Sequence, residues 1–238
     1  MRPILLLLFF LLVQQLSAQV NISAKDMVVK DSTGQIYPLE IWQALLFKGN
    51  YGLKPEDPKD KNTAFLLVKL TEEEARKKLD KMPKPRPSNS FKDGQNIRLF
   101  NETDLDGNKI KLKDSAGRII VLNFWFINCP PCRKEIPDLN NLVDSFSKDG
   151  VIFVGVALDQ HSDLKNFLKQ MPFQYRIIAN GRYLASDYKI TSYPTHVIID
   201  QEGKVYFHTS GLGPGTLPWL KKTIKELIAK NKKDTASN

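Results

Sequence analysis

Ile119-Ile120-Val121-Leu122-Asn123-Phe124-Trp125-Phe126-Ile127-Asn128-Cys129-Pro130-Pro131-Cys132 decides the fold of this 238-residue chain. Its first eight residues are apolar except for Asn123, as expected of a strand covered on both faces. The run ends in a turn that holds both cysteines of the sequence. A helix is predicted to follow, through Leu139, Leu142, Val143 and Phe146, ending near Gly150. An exported protein that uses cysteine as scaffolding spreads several pairs along its length. Here the sulfur is concentrated in one four-residue turn between a strand and a helix, which points to thiol-disulfide exchange.

Outward from this turn, strands and helices alternate from about residue 94. Val151 to Leu158 reads as a second buried strand, Leu164, Phe167 and Leu168 mark a helix, and Tyr175 to Ile178 a short strand. Tyr183 to Tyr188 suits a helical turn or two. His196 to Asp200 and Val205 to His208 form a hairpin around Gln201-Glu202-Gly203-Lys204. Leu217, Leu220, Ile224, Leu227 and Ile228 repeat at helical spacing. The order implies an α/β domain with a mixed central sheet and helices on both faces.

Upstream the signals are weaker. Val28 to Tyr37 is compatible with a small hairpin around Ser32-Thr33-Gly34, and Leu39 to Phe47 with a short helix. Phe65 to Leu70 reads as a strand, and Thr71-Glu72-Glu73-Glu74 as a capping box opening a helix to about Lys81. Residues 19–82 thus form a small α+β extension. Pro83, Pro85 and Pro87 make 83–93 an extended, stiff linker to the 94–230 domain, and 231–238 a disordered tail.

Met1-Arg2-Pro3 followed by ten apolar residues, Ile4 to Val13, and by Leu16-Ser17-Ala18 has the form of an export signal over residues 1–18. Ten apolar residues fall short of the roughly 20 that span a bilayer. The expectation is an exported or periplasmic protein with no stable membrane span. The formal net charge is +9, but lysines and acids alternate, as in Lys54-Pro55-Glu56-Asp57-Pro58-Lys59-Asp60-Lys61. That is a solvated surface, so no nucleic-acid partner is expected.

Exchange needs an attacking thiolate and a second sulfur within reach. Cys129, on the strand-side lip, is the expected exposed nucleophile, favoured by the helix amides and dipole. Cys132, inside the first turn, is the resolving thiol. A static disulfide in a binding module, a copper carrier using Cys129, Cys132 and His196, and a thiol peroxidase remain as alternatives. Zinc lacks further ligands, so neither metal nor cofactor is expected. The glycines of 211–215 lack a P-loop or dinucleotide spacing and suit a strand-helix connection. His208 is expected at a strand surface or half-buried, and Phe124, Trp125 and Phe126 in the core.

The segment Trp125 to Pro137 resembles the active-site region of TlpA/ResA-type exported thioredoxin-like proteins, and Ser192-Tyr193-Pro194-Thr195 resembles their cis-proline loop. Val197-Ile198-Ile199-Asp200 and Gly203-Lys204-Val205 continue the likeness, and the Bacteroidetes-type members share an N-terminal extension. The resemblance implies a thioredoxin-like fold and a cis Tyr193–Pro194 bond. Tyr193, Pro194 and Thr195 would then receive an incoming peptide, and Glu135 would tune the thiols and take part in proton transfer. It also implies protein thiols or disulfides as substrates, apocytochrome among them, and a membrane thiol-disulfide reductase as electron donor. Asn123 stands where thioredoxin carries a buried aspartate, and Asn128 replaces the tryptophan before the first cysteine. Pro137 is expected to kink the helix.

Overall fold

The computed structural model describes residues 24–60 and 62–236; the expected signal at 1–18 lies outside them. The extension comprises β1 (Val29–Lys30), α1 (Leu39–Phe47), β2 (Tyr51–Pro55), β3 (Phe65–Lys69) and α2 (Glu72–Lys81). Its sheet has the order β1-β3-β2, with β1 parallel and β2 antiparallel to β3. The expected hairpin over Val28 to Tyr37 reduces to one bridge, Lys30 to Ile36, because Val29 and Lys30 pair instead with Phe65 and Leu66. Val29, Trp42 and Leu67 form the small core. The capping box is present: Glu74 N–H donates to Thr71 Oγ1 at 3.2 Å, and Thr71 N–H to Glu74 Oε2 at 2.9 Å.

The main domain follows as β4 (Asn101–Thr103), β5 (Lys109–Lys111), β6 (Ile120–Trp125), α3 (Pro130–Phe146), β7 (Ile152–Ala157), α4 (His161–Gln170), β8 (Arg176–Ile178), α5 (Arg182–Asp187), β9 (Thr195–Ile199), β10 (Val205–Ser210) and α6 (Thr216–Ala236). β4 and β5 make a separate antiparallel pair. The five-stranded sheet has the order β10-β9-β6-β7-β8; β6, β7 and β8 run parallel, and β9 is antiparallel to both β6 and β10. All six residues of β6 are buried, as its apolar run requires.

Alternation along the strands splits the core into two layers. Val121, Trp125 and Ile198 share one with Ile136 and Leu139 of α3 and Leu220 and Ile224 of α6. Ile120, Leu122, Phe124, Val197 and Ile199 face the other, with Leu184 of α5. Asn123 and His196 therefore have the parity of the α3 side. Gly181, before α5, is fixed by close approach: a Cβ there would lie 2.4 Å from Val156 Cγ1 and 2.9 Å from the Ala157 carbonyl oxygen. Gly181→Ala is expected to cost about 1–3 kcal/mol through overpacking, read as a lower urea midpoint; an unchanged midpoint would refute this close packing.

The segment 83–93 has no helix or strand, turns at Asn89–Ser90 and again from Asp93, and is not a free spacer. Thr209 Oγ1 donates to the Arg86 carbonyl at 2.9 Å, Ser90 Oγ to the Lys189 carbonyl at 2.8 Å, and Gly94 N–H to the Val205 carbonyl at 2.7 Å. It covers β10, an edge strand whose unpaired groups would otherwise be open to another chain. His208 is consequently buried, at 4% exposure, facing Phe91 and Asp93. This corrects the expectation of a surface or half-buried side chain. α6 runs on past residue 230, where the main domain was expected to end, to Ala236. The extension packs on α3 and α6: Lys222 pairs with Asp80 at 2.8 Å, and Lys134 Nζ lies 5.1 Å from the Phe47 ring centre. α3 runs through Pro137, which cannot donate the N–H that position would give to Arg133.

Candidate functional site

Cys129 is the N-cap of α3, with extended backbone (φ −100°, ψ 102°), and is joined to Cys132 by a disulfide of 2.05 Å. Pro130 and Pro131 fill the first two helical positions and have no N–H, so the Cys132 amide is the first donor of the helix. That amide donates to Cys129 Sγ at 3.3 Å. The expected exposed lip is not found. Cys129 is 3% exposed and Cys132 1%, because Cys129 is drawn into the core layer that contains Trp125 and Ile136. What stands open around the pair is Asn128 and Pro130.

The approach to the helix is pinned by Ile127 N–H donating to Asp159 Oδ2 at 2.8 Å. Phe126 meets Tyr193 edge-on, with ring centres 5.3 Å apart. Tyr193 packs against the layer holding both cysteines, and the Tyr193–Pro194 bond is cis. The Pro194 carbonyl accepts Gly211 N–H at 2.8 Å, which ties the glycine-containing connection to this loop. Thr195 is fully buried; its Oγ1 donates to the Ser192 carbonyl at 2.7 Å and lies 2.6 Å from Ser210 Oγ. Thr195 therefore shapes the loop from inside, and only Tyr193 of the three expected contact residues is partly open. Among the described residues, no hydrogen bond occupies the main-chain amide or carbonyl of Tyr193.

Glu135, one helical turn after Cys132, is only 1% exposed and points into the molecule. Its Oε2 lies 3.1 Å from His196 Nε2, and its Oε1 accepts Asn123 Nδ2–H at 3.3 Å. Asn123 Nδ2 is also 3.2 Å from His196 Nδ1. With one amide nitrogen donating to both neighbours, Nδ1 must accept, so the imidazole proton sits on Nε2 and is given to the carboxylate. In this arrangement both oxygens of Glu135 and both ring nitrogens of His196 have a partner inside the molecule. The Tyr175 hydroxyl has no hydrogen-bond partner among the described residues; burial, with Glu135 adding to it, pushes it well above the ordinary tyrosine range.

His196, which the sequence reading named only in the copper-carrier alternative, lies at the centre of this cluster. Both its nitrogens are committed to Glu135 and Asn123, and the two sulfurs are bonded to each other. The signal that could have placed it is parity: His196 shares a strand face with Ile198, and Asn123 with Val121 and Trp125.

Residues 94–208 match the profile of the AhpC/TSA family. The chain is 37% identical over 114 residues to the thiol-disulfide oxidoreductase ResA of Bacillus cereus, a match covering 47% of this chain and 66% of that protein. ResA of Bacillus thuringiensis subsp. konkukian is 36% identical over 120 residues, 50% of this chain and 69% of that one. The chain thus spans about two thirds of the length of these curated relatives. The crystal structure of a provisionally named thiol:disulfide interchange protein DsbE from Chlorobium tepidum superposes with a TM-score of 0.54 at 27% identity, covering 58% of this chain and 98% of that one. A disulfide at the head of the helix after the central strand, a cis-proline loop beside it, and these relatives agree on one assignment: the chain belongs to the TlpA/ResA-type thioredoxin-like thiol-disulfide oxidoreductases.

Proposed function

We propose that this thiol-disulfide oxidoreductase is exported and reduces disulfides of other exported proteins through Cys129 and Cys132, with apocytochrome among its substrates. The observation that carries this reading is the disulfide at the N-terminus of α3 beside a loop whose Tyr193 main chain is unpaired. An extended peptide can pair with that main chain as an added strand and bring its own disulfide to Cys129. No helix among the described residues is long and apolar enough to cross a membrane.

In the reduced protein the Cys129 thiolate attacks one sulfur of the substrate disulfide. A bond forms between them, the substrate bond breaks, and the departing thiolate takes a proton. Cys132, whose proton the first departing sulfur has taken, then attacks Cys129 Sγ as a thiolate, restoring the internal disulfide and releasing the second substrate sulfur, which takes a proton from water. Two electrons pass to the substrate, and a membrane thiol-disulfide reductase returns them to the pair. Glu135 acts as a fixed negative charge one turn from Cys132: it opposes a thiolate there and so favours the protonated resolving thiol until the mixed disulfide forms.

The reduction potential tests the reading. Equilibration against a glutathione or dithiol buffer is expected to give a value above about −300 mV, and iodoacetamide should label Cys129 faster than Cys132. A potential below that limit, with slow and equal labelling, would assign the bridge a structural role.

A further inference from the structure

Beside Pro130, between the two cysteines, lies an open groove of about 420 Å³ lined by Asn128, Pro130, Arg133, Lys134 and Met171. Two of its five lining residues are cations, and neither is neutralised. Among the described residues, no carboxylate pairs with Arg133 or Lys134. Instead the Arg133 guanidinium lies 5.6 Å from the Phe167 ring centre and the Lys134 ammonium 5.1 Å from that of Phe47. Rings hold these heads in place while leaving their N–H donors for another partner. The carboxylates nearby are engaged elsewhere. Asp159 accepts the Ile127 amide, and Glu135 is buried with His196. Asp138, a turn beyond Lys134, is half-buried and lies in the field of Lys48. Exposed Arg182 adds positive charge beside Tyr193 of the cis-proline loop.

We propose that this groove receives an acidic segment of the substrate protein, carboxylate side chains flanking its cysteines, with Arg133 and Lys134 as the specificity-determining residues. The inference rests on the reading of the chain as a reductant of protein disulfides and adds the class of substrate. Charge complementarity selects the occupant: two oriented cations a few residues from the reacting sulfur attract anionic segments and repel cationic ones before exchange begins. Phe47 belongs to the extension, so α1 gains a role in fixing Lys134 over the groove.

The test uses three substrates with the reduced full chain: neutral 2-hydroxyethyl disulfide, and two peptides with the same internal disulfide flanked by glutamates or by lysines. For wild type, the second-order rate constant for oxidation of the reduced chain is expected to favour the glutamate peptide by about tenfold at low salt, shrinking as ionic strength rises. In R133E/K134E, with each peptide rate divided by that variant's own rate on the neutral disulfide, the preference should fall below one. Equal peptide rates in wild type, with the neutral disulfide reduced, would overturn the groove assignment alone. So would unchanged preference in the variant, including a result in which the substitutions only abolish binding to phosphatidylglycerol vesicles. Failure to reduce the neutral disulfide would instead bring down the reductant reading itself, and the groove assignment with it.

Discussion

Replacing His196 with alanine is expected to lower the stability of the oxidised protein at pH 7 by about 3 kcal/mol or more. His196 has no exposed surface, and its Nε2 faces Glu135 Oε2 at 3.1 Å. The imidazole supplies one of the two donors that hold the buried carboxylate; Asn123 supplies the other. Without it the charge keeps a single hydrogen bond and gains an empty space in place of the ring. His196→Gln, which retains a donor, should lose roughly half as much. Urea unfolding of the three proteins measures this, and a loss under about 1 kcal/mol for the alanine variant would show that the pair is not holding the charge. A second readout separates positioning from mere packing. With its donor gone the Glu135 side chain is no longer fixed one turn from Cys132, so its opposition to a thiolate there weakens. The potential at pH 8 should therefore become less negative, by about 30 mV for each tenfold gain in the reduced form. A purely structural role for His196 leaves that potential where it was.

Why this cluster was only partly legible follows from two periodicities. β6 announced itself as an apolar run, and Asn123 stood out as its one polar member. Glu135 was visible as the acid one turn after Cys132, and first-turn acids usually sit at the surface for the helix dipole. Yet Cys132, Ile136 and Leu139 define the inward stripe of α3, and Glu135 lies within it. Reading the helix by face rather than by end would have turned the carboxylate inward. Nothing local joined it to His196, 61 residues away; that meeting depends on β9 lying beside β6.

The extension shows a similar limit. The capping box of α2 and the span of α1 are local and were readable, whereas β2 (Tyr51-Gly52-Leu53-Lys54-Pro55) carries a glycine and a proline and has no strand signal of its own. It exists because β3 offers a partner. The proline-rich segment was expected to be an extended linker; its contacts follow from the open edge of β10, a property of the sheet rather than of the segment.

Cys129→Ser is expected to reduce exchange with protein disulfides on the order of a thousandfold, while Cys132→Ser completes the first attack and stops there. The asymmetry comes from how the helix begins. Two prolines withhold the first two amides of α3, and the third, that of Cys132, is directed at Cys129 Sγ. A thiolate at position 129 thus has a main-chain donor and the positive end of the helix, whereas one at 132 faces the charge of Glu135 a turn away. Of the two sulfurs, Cys129 is therefore the one expected to attack as an anion when substrate arrives. Cys132→Ser should therefore accumulate a mixed disulfide with a protein substrate, visible as a covalent adduct on a non-reducing gel and released by dithiothreitol. Cys129→Ser should form little. The opposite pattern, with adducts through Cys132, would reverse the two roles and mean that the charge of Glu135 is neutralised when the pair is reduced. Adducts from neither variant would remove the exchange mechanism, since a dithiol that cannot be caught halfway has no attacking sulfur.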